Sequence, residues 1–73
     1  EPWVGPWLRG LREKSGTPRE EIAALLAREL SAVSRIETGA SSISADDLPT
    51  VLAAYGVTPA RFAAEARKFR AAA

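Results

Sequence analysis

Helix stop and start signals punctuate this chain: Gly16 precedes Thr17-Pro18, Gly39 precedes Ser44, and Gly56 precedes Thr58-Pro59. Glycine ends helices because it accepts the left-handed conformation, while Ser, Thr and a first-turn proline begin them. A chain cut in this way can only build short helices, and short helices persist when each buries an apolar face against the others.

Apolar spacing marks out five such segments. Helix 1 is predicted over about Pro6 to Lys14, with Trp7, Leu8 and Leu11 as its stripe. Pro2, Gly5 and Pro6 break the chain before it, which leaves residues 1–5 as an N-terminal arm. Gly10 weakens this helix by roughly 1 kcal/mol relative to Ala. Thr17-Pro18-Arg19-Glu20 reads as a capping box that opens helix 2, where Ile22, Leu25 and Leu26 face inward and Ala23 allows a neighbour close. The pattern stops over Ala27, Arg28 and Glu29 and resumes with Val33 and Ile36 in helix 3, about 29–38, which Gly39 closes. So short a connection turns the chain by about 90–120°, as a helix-turn-helix requires. Ser44 to Asp47 forms a second capping box ahead of Leu48, Val51, Leu52 and Tyr55, spaced i, i+3, i+4 and i+7. Helix 5 follows Thr58-Pro59 with Phe62, Ala66 and Phe69 on one side, and residues 70–73 read as a frayed tail. No segment alternates convincingly over strand length. The fold class is therefore all-α, a compact five-helix domain over residues 6–69 with its helix-turn-helix in helices 2 and 3.

Composition narrows the chemistry. At 73 residues the chain is one domain, and without Cys, His or Met it offers no disulfide, no thiolate metal site and no histidine base. Neither a cofactor nor a metal is expected. The adjacent acids Glu20-Glu21 and Asp46-Asp47 sit in first helical turns, where the macrodipole accounts for them, and neighbouring helical residues diverge by about 100°. No catalytic constellation results, so the chain is not expected to be an enzyme. The longest apolar run, Ile22 to Ala27, falls far short of the roughly 20 residues that span a bilayer, and Glu1 does not open a signal peptide. A cytoplasmic, nucleoid-associated protein with no membrane partner is the expectation. Without an initiator methionine the chain reads as a processed product or a piece of a longer protein. Net charge is +1, too balanced to argue for nucleic acid, so the case for DNA depends on where the charges sit.

Specific motifs then enter: Leu8-Arg9-Gly10-Leu11-Arg12-Glu13-Lys14-Ser15-Gly16, Glu20-Glu21-Ile22-Ala23, Val33-Ser34-Arg35-Ile36-Glu37-Thr38-Gly39, and Leu52 to Val57. In this order and spacing the chain resembles the Cro/C1 phage-repressor family over about residues 5–69, and Val33 to Gly39 is the most diagnostic stretch. The resemblance implies a lambda-repressor-like DNA-binding domain of a bacterial transcription regulator, with helix 3 in the major groove of double-stranded DNA. It places base reading on Leu30, Ser31 and Arg35, flanked by Ala32 and Ser34. Arg35 suits guanine O6 and N7, and Leu30 a thymine methyl. Phosphate contacts fall on Arg19, Arg28 and Thr38, and a structural ion pair on Arg12 and Glu37. A homodimer on a two-fold symmetric operator is implied, with helix 5 and the C-terminal tail as its candidate interface, together with a regulatory domain or protein partner outside the chain.

Several positions depart from the family's pattern. Arg19 stands where Gln is usual, Ala27 where glycine is common, Glu29 where Ser or Thr often precedes the recognition helix, and Pro18 replaces a polar phosphate contact. Glu29 would repel phosphates unless it bonds a cytosine amino group or pairs with Arg28. Together with the balanced charge, it keeps a second reading open: a protein-interaction module of the same fold, such as an antitoxin or a partner of a transcription factor. For that reading Trp3, Trp7, Phe62 and Phe69 could supply an apolar patch, although aromatics at helical spacing usually belong to a core.

Overall fold

Apolar side chains from four of the five segments meet in one cluster. Leu8, Ile22, Ala23, Leu26, Val33, Val51, Leu52 and Val57 are buried there, and Trp7, Leu11, Ile36, Leu48, Tyr55 and Phe62 pack around them half-buried. The computed structural model describes residues 2–72 and arranges them as α1 (Val4–Ser15), α2 (Arg19–Leu26), α3 (Leu30–Thr38), α4 (Asp47–Ala54) and α5 (Pro59–Ala72). No strand occurs among the described residues. The protein is a small all-α domain in which α3 packs on α1 and α2, and α2 also meets α4.

Helix α1 starts two residues earlier than its sequence suggests. Val4 and Gly5, read as part of an arm, lie in its first turn. Gly5 is buried because the start of α1 abuts the end of α3: a Cβ at this position would collide with the Ile36 carbonyl. The glycine that looks like a breaker is thus what lets two helices touch.

Caps set the other boundaries. Ser44 Oγ accepts the Asp47 N–H at 3.1 Å, and Thr58 Oγ1 accepts the Arg61 N–H at 3.1 Å, so both hydroxyls satisfy donors that the starts of α4 and α5 leave open. Thr17 does not cap α2. Pro18 takes the N-cap place with no side-chain bond, and Thr17 Oγ1 meets Ser15 Oγ at 2.8 Å instead. Since the Ser15 hydroxyl already donates to the Arg12 carbonyl, Thr17 is the donor there. Gly39 ends α3 at φ 87°, a left-handed turn that costs glycine nothing.

Leu25, expected to face inward with Ile22 and Leu26, is 47% exposed. Its neighbours α3 and α4 cover only the strip of α2 that bears Ile22, Ala23 and Leu26. Helix α5 runs through Arg70 to Ala72, where a frayed tail is the sequence expectation. An aromatic cluster explains its persistence. Trp3 stacks on Phe69 with centroids 4.7 Å apart and planes within 6°, and it lies 5.6 Å from Phe62. Trp7 sits 5.7 Å from both Trp3 and Phe62. Such pairs contribute about 0.5–1.5 kcal/mol each beyond their buried area, and they fasten α5 to the start of α1.

Candidate nucleic-acid interface

Helix α3 divides into two sides because its apolar residues recur every three positions. Val33 is buried and Ile36 half-buried on the inner side, while Leu30, Ser31, Arg35 and Thr38 are exposed on the outer side. Ala32 and Ser34 lie half-buried at its edges. The Arg35 guanidinium has no hydrogen bond or ion pair among the described residues. Beside it runs a crevice of about 180 Å³, which Arg28, Ala32, Ser41, Ser42, Ser44 and Asp47 also line.

The inner end of α3 is held by charge. Arg12 Nε donates to Glu37 Oε2 at 2.6 Å and Arg12 Nη2 to Glu37 Oε1 at 3.1 Å, a bidentate pair buried between α1 and α3. Arg12 Nη1 donates to the Thr17 carbonyl at 3.1 Å, so the same guanidinium also secures the approach to α2. Hydrogen bonding to Glu37 holds Arg12 above its ordinary range, against the opposing effect of burial. No buried side-chain nitrogen or oxygen among the described residues lacks a partner. The pair therefore meets the condition under which a buried ion pair is tolerated.

The expected phosphate contacts are less uniform. Arg19, at the first position of α2, donates from Nη1 to Ser34 Oγ at 3.1 Å, which aims its side chain along α3 and leaves further N–H groups to donate. Arg28 pairs with Asp47, Nε to Oδ2 at 2.9 Å, and not with Glu29. The extended backbone at Glu29 sends its side chain out to solvent, and Asp47 at the start of α4 stands within reach instead. Glu29 gives α3 no side-chain cap. Thr38 Oγ1 donates to the Arg35 carbonyl at 3.2 Å within its own helix.

Between α2 and α3 the chain reverses at Ala27, whose φ of 53° is the only positive value on a non-glycine among the described residues. The Arg28 N–H bonds the Ala23 carbonyl at 2.9 Å, which closes the turn. Two short helices, a left-handed turn and an outward-facing second helix thus stand together. A family model described as a helix-turn-helix domain matches residues 3–65. The chain belongs to the helix-turn-helix domain family. No match emerges among curated proteins or among solved structures. In helix-turn-helix terms α2 is the supporting helix and α3 the presented one, with Ala27–Glu29 as the turn.

Residue-by-residue reading missed the partners of this helix-turn-helix. Ser34 as the seat of Arg19, and Asp47 as that of Arg28, join positions 15 and 19 residues apart, and only the packing of α2 on α3 and α4 brings them together. Ser41 and Ser42, at the mouth of the Arg35 crevice, carry no local signal beyond their polarity.

Proposed function

We propose that this domain binds double-stranded DNA selectively through the outer side of α3, as the reading part of a transcription regulator of the phage-repressor type. The observation that carries the reading is the division of α3: Val33 anchors one side, 2% exposed, while Leu30, Ser31 and Arg35 stand free on the other. A major groove about 12 Å wide admits one helix, and a guanidinium on that helix can bond guanine O6 and N7 together. Ala32 and Ser34 border the reading surface, Arg19 serves a phosphate near the start of α2, and Thr38 and Arg28 lie at its edges, with Arg28 reaching a phosphate only by leaving Asp47. Residues 4–72 act as one binding unit. A homodimer on a two-fold symmetric operator completes the reading, since one recognition helix covers few base pairs. Catalysis forms no part of it. No helix among the described residues is long and apolar enough to cross a membrane.

Selection of bound sequences from a random duplex pool tests this function. A defined motif is expected. Arg35→Ala then relaxes preference at one position, at a cost of about 1–3 kcal/mol on the preferred base, whereas Arg19→Ala weakens all sequences alike. An unenriched pool, or equal effects from both variants, contradicts the assignment.

A second reading has its own observation. Leu25 and Leu30 are 47% and 42% exposed, and Glu20, Glu21 and Glu29 are exposed as well. Apolar groups among acids suit a protein partner better than a phosphate backbone. A domain used in this way shows little duplex binding at low salt.

A further inference from the structure

We propose that α5 is the electrostatic arm of duplex binding: its exposed cations Arg61, Arg67 and Lys68 engage the phosphate backbone beside the site presented by α3. The inference rests on the DNA-binding reading above and assigns the source of its attraction.

The need for such an arm follows from the distribution of charge. Between Thr17 and Thr58, the stretch that contains the helix-turn-helix, three cations (Arg19, Arg28, Arg35) stand against six carboxylates (Glu20, Glu21, Glu29, Glu37, Asp46, Asp47). Arg28 is taken by Asp47, and Glu37 by Arg12. What remains in this stretch is Arg19 and Arg35 against the exposed acids Glu20, Glu21, Glu29 and Asp46. A duplex carries one negative charge per about 1.7 Å of its axis, so this surface alone would be repelled.

Helix α5 has the opposite balance: Arg61, Arg67, Lys68 and Arg70 against the single acid Glu65. Its inner side is fixed by Phe62 and Ala66, and the partly exposed Phe69 is held by the Trp3 ring stacked on it. Arg61, Arg67 and Lys68 are thereby held outward on a rigid element, and none of them has an ion pair among the described residues. From Arg61 to Lys68 the helix rises about 10 Å, comparable with the width of the major groove.

One stretch of loop links this helix to the presented face. Phe62 in the first turns of α5 shares a groove with Ile36, Ser41 and Ser42, and the same three residues border the crevice of Arg35. The start of α5 and the edge of α3 thus flank a single loop. The longest extent of the molecule is 33 Å, no more than one turn of duplex at about 34 Å, so α3 and α5 both fall within about one helical turn of a bound duplex.

The test compares wild type with R61Q/R67Q/K68Q on the selected duplex and on a scrambled duplex, from low salt to about 1 M. The slope of log affinity against log salt should become shallower by about 0.9 for each phosphate no longer neutralised, up to about 2.7 for the triple variant, equally on both duplexes. The two curves should converge toward high salt, and R61K/R67K should keep the wild-type slope. Helical circular dichroism and thermal melting check folding, and R67E alone gives a single-step change should the triple variant fail to fold. An unchanged slope in a folded variant overturns the proposal, as does a loss confined to the selected sequence. Abolished binding to phosphatidylserine vesicles with an intact duplex slope assigns α5 to a lipid surface and overturns it too. Wild type that shows no salt-dependent duplex binding removes the DNA reading itself, a result distinct from an unchanged slope.

Discussion

Two ion pairs flank α3 and differ in burial: the side chains of Arg12 and Glu37 are 9% and 6% exposed, those of Arg28 and Asp47 50% and 17%. The first joins α1 to the end of α3 and has no water to fall back on. Either partner left alone would be a desolvated charge. The second ties the turn before α3 to α4 and keeps one member half in solvent, where an ion pair contributes about 0–1 kcal/mol and exchanges readily. One side of α3 is thus fixed and the other loosely held: the seam with α1 sets the pose of α3, and the half-exposed pair on the turn side can open and close.

The largest expected effect is at the fixed seam. Glu37→Ala should lower stability by about 3–5 kcal/mol, because Arg12 stays buried without its partner. Thermal or urea unfolding measures it, and a loss below about 1 kcal/mol would make the two pairs equivalent.

Alkaline pH probes the same seam less severely. Burial first, and then the neighbouring Glu37 carboxylate, push the Tyr55 phenol up to about 12. A tyrosine in the unfolded chain ionises near 10, so the folded state favours the neutral form. Stability that is intact below pH 10 should be lost as pH rises toward about 12, and Tyr55→Phe should abolish that loss. As the chain has one tyrosine, tyrosinate absorbance follows this group alone. Ionisation near pH 10 in the folded protein would contradict the placement.

Smaller effects belong to the turn. Ala27 holds a left-handed φ of 53° on an exposed residue, so Ala27→Gly should raise the melting temperature, with a gain of about 0.5–1 kcal/mol once the greater freedom of glycine in the unfolded chain is subtracted. A loss of stability would mean that the turn gains something from the methyl group. Asp47→Asn should change stability least, by under about 1 kcal/mol, while releasing Arg28 and strengthening duplex binding a few-fold at low salt. Unfolding and titration of the same variant separate the two outcomes. A large destabilisation without tighter binding would show that the pair is structural on this side as well.

Much of this arrangement is readable along the chain because it is local. The i, i+3, i+4, i+7 series from Leu48 to Tyr55, the caps at Ser44 and Thr58, and the glycine after α3 each depend on residues within one or two turns. The Arg12–Glu37 pairing came from family likeness and not from spacing, since 25 residues separate the partners. Thr17 misled because a hydroxyl beside Ser15 has a competing bond that no capping pattern registers. Leu25 misled because helical spacing tells which residues share a face but not how wide a strip the neighbouring helices cover. Gly5 was opaque for a similar reason: nothing beside it announces that the backbone of Ile36 will lie against it. At the site, the outward position of Arg35 follows from the period of α3, whereas the engagement of Arg28 by Asp47 follows only from the packing of α2 on α4.

The aromatic corner has a practical consequence. Both tryptophans of the chain, Trp3 and Trp7, sit where α1 meets α5. Intrinsic fluorescence therefore reports the docking of the C-terminal helix and is nearly blind to the presented face of α3. Emission and far-ultraviolet dichroism that fall at different temperatures would show α5 leaving as a separate cooperative unit, and coincident traces would show that the domain melts in one step.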